Sequence, residues 1–241
     1  MYNDCMVMEK ENIYSLEQLK QQYYSNHKGK TKISFYKAVN KMINEGKIER
    51  LERGFYYSKQ DKNVFKNKYD YQESEKVKEH LIKRYGDDFE FIVYETTILN
   101  LFLNHLLAKT MIVVEVPRYY VEDVFFELQM SNKFKNILFC PKDNDIYRYG
   151  EDRTIVVRPY VSKAPLNLKE HSLTIEKLLV DIICDPFINY FFEGAEVPYM
   201  VNDIVSDYIL RYKTVIAYAK RRNAYKELLA KMNDSQKRLF E

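Results

Sequence analysis

The sequence predicts an α+β protein: an N-terminal winged helix-turn-helix, then a mixed-sheet domain with helices, then an all-helical C-terminal tail. Three observations point there. Residues 35–43 place apolar side chains at i, i+3, i+4, i+7 and i+8, the spacing of one helix face, just ahead of a basic hairpin signature. Residues 74–159 alternate between helical and strand-like patterns, as a sheet covered by helices requires. From Ser172 onward only helical spacing remains.

The elements follow in order. Ser15 and Gln18 have capping-box form, and Leu16, Leu19 and Tyr23 recur at helical spacing, so a helix is expected over residues 15–24. A short helix is also expected over residues 2–10. The polar stretch Ser25, Asn26, His27, Lys28 and Gly29 makes a turn, and a second helix is expected over residues 32–45, burying Phe35, Ala38, Val39, Met42 and Ile43. Gly46 supplies its left-handed cap, residues 47–52 read as a strand, Arg53-Gly54 as a tight turn and residues 55–57 as the return strand.

This first part has the charge of a DNA-binding module. Residues 28–53 carry a net +5 and residues 213–241 another +5 in a chain whose total is only +3, so positive charge is concentrated rather than spread. The face of the second helix opposite its apolar stripe offers Ser34, Tyr36, Lys37, Asn40, Lys41 and Asn44, groups able to meet base edges and phosphates. Lys30 and Lys32 before it, and Lys47, Arg50 and Arg53 in the hairpin, are placed to hold the flanking phosphates. Lys213, Lys220, Arg221, Arg222 and Lys226 form a candidate second basic surface.

The run from Ser15-Leu-Glu-Gln-Leu, and then from Ile33 through Glu-Gly-Lys-Ile to Arg-Gly-Phe-Tyr at residues 53–56, resembles the N-terminal winged helix of AbiEi-type antitoxins. Residues 174–183 and 212–223 resemble helices of the same family's second domain. The turn before the second helix is longer than in a compact helix-turn-helix. The resemblance implies an antitoxin of a toxin-antitoxin (abortive infection, phage defence) system. Such a protein represses its own promoter at inverted repeats of double-stranded DNA and counteracts a nucleotidyltransferase toxin, a stable complex with the toxin not being implied. It implies no enzymatic activity and no cofactor.

The expected domains are 1–60, a 61–73 linker that is polar and lysine-rich, and 74–241. In the last, a helix opens at Ser74, buries Val77, Leu81 and Tyr85 and stops at Gly86. Residues 89–94, 111–116, 136–140, 146–149 and 154–159 are strand candidates, and 97–107 and 121–130 helical ones. Glu176 and Asp181 read as helix-surface acids or caps.

Several functions are excluded on residue grounds. An apolar content of 46% with 15% aromatics excludes disorder over most of the 241 residues. The most apolar window, residues 98–116, is broken by Asn100, Asn104, His105, Lys109 and Glu115, so no membrane span is expected, and the acidic N-terminus does not suit a secretory signal. Cys5, Cys140 and Cys184 show no paired spacing, and His27, His80, His105 and His171 lie near none of them, so neither a disulfide framework nor a zinc site is expected and a cytoplasmic location fits. Lys28-Gly29-Lys30-Thr31 lacks the first glycine and the preceding strand of a phosphate loop. Asp143-Asn144-Asp145 reads as a turn rather than a metal-binding carboxylate pair. Glu115 sits on a strand as in a nuclease sheet, but Val116-Pro117 follows where a catalytic lysine is needed. Two other functional readings stay open: a stand-alone regulator whose second domain senses a ligand or partner, and a degenerate nuclease targeted by the first domain.

Overall fold

The computed structural model describes residues 13–27, 29, 31–44, 47–52, 54–58 and 63–240. The helix expected over residues 2–10, and Cys5, Lys28, Lys30, Gly46 and Arg53, lie outside them. The chain divides into two compact units, the first made of residues 1–64, 206–209 and 234–241, the second of 65–205 and 210–233.

In the first unit, β1 (Ile13–Ser15) leads into α1 (Leu16–Asn26), followed by α2 (Lys32–Asn44), β2 (Ile48–Glu52) and β3 (Phe55–Ser58). Ser15 closes the strand and caps the helix. Its hydroxyl accepts from the Gln18 backbone N–H at 3.2 Å while Gln18 Oε1 accepts from the Ser15 backbone N–H at 2.7 Å. Thr31 does the same for α2, accepting from the Ser34 N–H at 3.3 Å. The strands form an antiparallel sheet in the order β1-β3-β2, with an irregularity between Arg50 and Glu52. β1 is an addition to the elements expected from the sequence. Gly54, at φ +90°, takes the left-handed turn between β2 and β3 that a side chain would strain. Leu19, Tyr23, Phe35, Val39, Met42, Ile48 and Tyr56 close into one core. Each large side chain so buried contributes about 1.5–3 kcal/mol of apolar transfer.

The second unit is a mixed sheet with helices. In chain order it runs α3 (Gln72–Tyr85), β4 (Ile92–Glu95), β5 (Met111–Val116), α4 (Val121–Met130), β6 (Ile137–Phe139), α5 (Asp143–Tyr149), β7 (Thr154–Pro159), β8 (Leu166–Asn167), β9 (Ser172–Leu173), α6 (Ile175–Cys184) and α7 (Pro186–Asn189). Helices α8 (Val197–Asp207), α9 (Tyr212–Arg221), α10 (Tyr225–Ala230) and α11 (Asp234–Phe240) end the chain, the end of α8 and all of α11 grouping with the first unit. Six strands lie in the order β6-β7-β5-β4-β9-β8. β6, β7 and β5 are mutually parallel, and β4 runs antiparallel to β5. β5 is buried along its whole length, which suits its unbroken apolar and β-branched run around Glu115. Among the described residues, no helix is long and apolar enough to cross a membrane.

Four expectations are corrected. Ser172 and Leu173, expected to open the helical tail, form β9 instead, hydrogen-bonded between β4 and β8 before Thr174 caps α6. Residues 146–149 are not a strand but the end of α5, because Asp143 and Asp145 form the first turn of a helix, where acids complement the positive end of its dipole. Residues 97–107 hold no α-helix, only a 3-10 segment at Thr96–Leu101, after which the Asn100 side chain accepts from the Leu107 N–H. The end of the supposed linker is fixed to the sheet. Glu95 accepts from the backbone N–H groups of Asp70 and Tyr71 at 2.9 and 3.0 Å and from the Ser74 hydroxyl, while Tyr69 donates to the Val93 carbonyl.

Candidate functional site

The apolar stripe of α2 decides what its other face presents. With Phe35, Val39 and Met42 turned into the core, Lys37, Asn40, Lys41 and Asn44 fall at i, i+3, i+4 and i+7 on the opposite side, and all four are exposed. Tyr36 is partly exposed, its ring set edge-on to Phe35. Lys32 is exposed at the start of the helix, and Ser34 is half-buried in the Thr31 cap. In the hairpin, Arg50 is exposed opposite Tyr56, and Lys47 is half-buried with its backbone N–H on the Met42 carbonyl. Lys30 and Arg53 lie outside the described residues.

The second basic set does not hold together as a surface. Lys213, Lys220 and Lys226 are exposed, Lys220 lying 4.9 Å from the Tyr225 ring centroid. Arg221 turns its guanidinium onto the Ser162 hydroxyl at 2.7 Å. Arg222 belongs to the interior: it donates to Asp181 Oδ1 at 3.1 Å and to the Cys184 carbonyl at 3.3 Å. A side chain bound this way is not available to a phosphate.

Arg222 is one member of a buried charge network that sequence reasoning missed. Lys177 Nζ lies 2.9 Å from Glu115 and 2.5 Å from Asp181. Arg158 pairs with both oxygens of Asp185 and places Nε 3.4 Å from Glu115. Tyr94 donates to Glu115 and Tyr218 to Asp181, each at 3.0 Å. Three carboxylates thus face three cations, and each charge is offset. Burial works against the Lys177 ammonium, but Asp181 and Glu115 more than compensate and raise its pKa well above the ordinary lysine value. Burial raises the Asp181 carboxyl despite Lys177 and Arg222. For Asp185 burial acts in the same sense, but Arg158 outweighs it and holds the carboxyl below its ordinary range.

Glu115 therefore finds its lysine on α6 rather than two residues along its strand. Both groups are sealed, Glu115 at 0% and Lys177 at 1% exposure, so the pair meets no substrate. Glu176 and Asp181 are likewise buried, at 4% and 1%, not surface acids; Glu176 is held by Arg211 at 2.8 Å. Beside the network, Pro141, Lys142, Asp143, Asn144, Asp185, Pro186 and Phe187 line an open cleft of about 570 Å³ past the carboxyl ends of β6 and β7. Among the described residues no group of three or more His, Cys, Asp or Glu side chains is arranged to hold a metal ion.

No curated protein matches the chain. Residues 34–238 match DUF6577, a family of unknown function. The match starts within α2 and runs through the mixed sheet to α11. It spans most of the chain, which therefore belongs to the DUF6577 family.

Proposed function

We propose that the protein binds double-stranded DNA sequence-specifically through its first unit, used as a winged helix-turn-helix, and acts as an AbiEi-like antitoxin that represses its own promoter. The observation that carries the binding reading is the exposed row of Lys37, Asn40, Lys41 and Asn44 on the side of α2 away from the core, with Arg50 on the adjoining hairpin. In this reading α2 enters the major groove with Lys37, Asn40, Lys41 and Asn44, where the two amides read base edges. Lys32, Lys47 and Arg50 hold phosphates on either side. The antitoxin role rests on the resemblance of residues 15–56, 174–183 and 212–223 to that family. Its functional partner is a nucleotidyltransferase toxin, with no stable complex implied, and the protein itself performs no catalysis.

Growth of cells induced for the adjoining downstream gene, with and without this protein, tests the antitoxin role. Toxicity relieved by the full chain supports it, and toxicity that the full chain fails to relieve refutes it. Binding to the DNA upstream of the protein's own gene tests the repressor role separately.

A second reading draws on the cleft at Asp185 and Phe187. Crevices past the carboxyl ends of parallel strands are where α/β sheets bind small ligands, and a regulator that stands alone would use this one as a sensor. A small molecule that shifts thermal stability and changes DNA affinity together would favour this reading.

A further inference from the structure

Ile33, in the first turn of α2, is out of keeping with its surroundings. It is apolar and β-branched, yet it is 70% exposed and takes no part in the core that Phe35, Val39 and Met42 help to close. A lone exposed apolar side chain is ordinary on a protein surface. Its place on the helix gives this one a meaning. Lys37, Asn40 and Asn44 lie four, seven and eleven positions further on, and at about 3.6 residues per turn all three fall within about 40° of Ile33 around the helix axis. Met42, nine positions on and buried, falls about 180° away. Ile33 therefore stands on the midline of the exposed face, in line with the groups assigned to base edges.

The turn that carries Ile33 is held in place. The Thr31 hydroxyl accepts from the Ser34 N–H at 3.3 Å and the Thr31 carbonyl from the Phe35 N–H at 3.2 Å, so Ile33 sits inside a capped helix end. A helical isoleucine is largely confined to one χ1 rotamer and loses little freedom on making a contact. The residues around it indicate what that contact is. Lys32 and Lys37 are exposed on either side of it, and α2 contains no acid, so this face suits a polyanion that also offers an apolar group. On the base edges of the major groove that apolar group is the 5-methyl of thymine.

We propose that Ile33 is a specificity-determining residue that packs on a thymine 5-methyl group, so that the bound duplex carries an A·T pair at a set distance from the pair read by Asn40. The inference rests on the DNA-binding reading above and adds to it the identity of one base pair. Seven residues of helix rise about 10.5 Å, which along the groove spans about three base-pair steps. An amide at Asn40 and a branched apolar group at Ile33 then read two different chemical features of the same half-site, a hydrogen-bonding edge and a methyl.

The probe is a duplex that the wild-type full chain enriches from a random-sequence pool, assayed at one salt concentration. Its thymines are replaced by uracil one at a time, which removes the 5-methyl and keeps every hydrogen-bonding group of the base. Wild-type binding is expected to weaken about fourfold at one such position, the effect of one methyl no longer buried. That position is expected about three base pairs from the pair that Asn40→Ala ceases to distinguish. Ile33→Ala, with an unchanged circular dichroism spectrum, is expected to bind the thymine and uracil forms alike. Ile33→Val, which keeps a branched apolar contact, and Asn40→Ala are both expected to retain the difference. A wild type indifferent to every replacement overturns the proposal and leaves the DNA-binding reading standing, because the duplex was still selected. A difference that survives in Ile33→Ala overturns it too, since another side chain then reads the methyl. A pool from which the wild type enriches no sequence refutes sequence-specific binding, and the Ile33 contact with it.

Discussion

Lys177 on α6 and Glu115 on β5 are 62 positions apart in sequence, yet their side chains pair at 2.9 Å with neither in contact with water. The pair ties the first helix after the sheet to its buried central strand, and Asp181, Arg158, Asp185 and Arg222 extend the tie to β7 and to the residue after α9. A buried pair contributes little net stability over an apolar replacement, but removing one partner strands the other in a low-dielectric interior.

Lys177→Met is accordingly expected to cost about 3–5 kcal/mol in urea denaturation. Adding Glu115→Leu should cost much less than the sum of the two single changes, because it removes one of the charges that the first left unpaired. Additive effects would show that the pair is not coupled.

The network also fixes a dependence on pH. Asp185 is held below its ordinary pKa of 3.8, so the stability it contributes is present above that value and lost as pH falls through the folded-state value. Asp181, raised by burial, has the opposite sign: it takes up its proton earlier in the folded chain, which offsets part of the acid loss. Asp185→Asn should lower the melting temperature at neutral pH and flatten its decline as pH falls below about 4. Asp181→Asn should make the decline above about pH 4 steeper. An acid limb unchanged in both variants would contradict this assignment.

Glu95 anchors the segment ahead of α3 by accepting from the N–H groups of Asp70 and Tyr71. Charge-assisted bonds of this kind contribute about 1.5–3 kcal/mol. Glu95→Ala should speed tryptic cleavage after the exposed Lys66 and Lys68 by roughly one to two orders of magnitude. Unchanged cleavage there would mean that Tyr69 and Asn67 hold the segment without it.

Gly150 ends α5 with no room for a side chain. A Cβ there would run into the Ile146 carbonyl and come within 2.6 Å of Met111 Cε on buried β5. Gly150→Ala should cost about 1–3 kcal/mol in thermal or urea unfolding.

How far the sequence could be read depended on how local the determining interactions were. The α2 stripe, the Ser15 capping box, the Gly86 stop of α3 and the β-branched run of β5 are all written within a few residues, and each appears where its pattern placed it. At α5 two local signals compete, and the acidic helix start prevails over the strand-like Ile146-Tyr147. Nothing near Glu176, Lys177 or Asp181 marks them as buried, because their partners Arg211, Glu115 and Arg222 come from distant parts of the chain. The same distance hides the role of Arg222, which as a sequence is indistinguishable from the basic residue before it. On the DNA-binding candidate, local reading places Lys37, Asn40, Lys41 and Asn44 together because one helix suffices to do so.

The most direct test of the DNA-binding claim compares wild type and Asn40→Ala on the duplex upstream of the protein's own gene and on a scrambled duplex at a fixed salt concentration. The account expects Asn40→Ala to lose about 1–3 kcal/mol on the upstream duplex alone. The ratio of the two affinities would then fall roughly 5- to 150-fold. Arg50→Ala, run alongside, should weaken both duplexes alike and reduce the salt slope by about 1. A wild type that does not prefer the upstream duplex, or an Asn40→Ala that loses equally on both, would contradict the account.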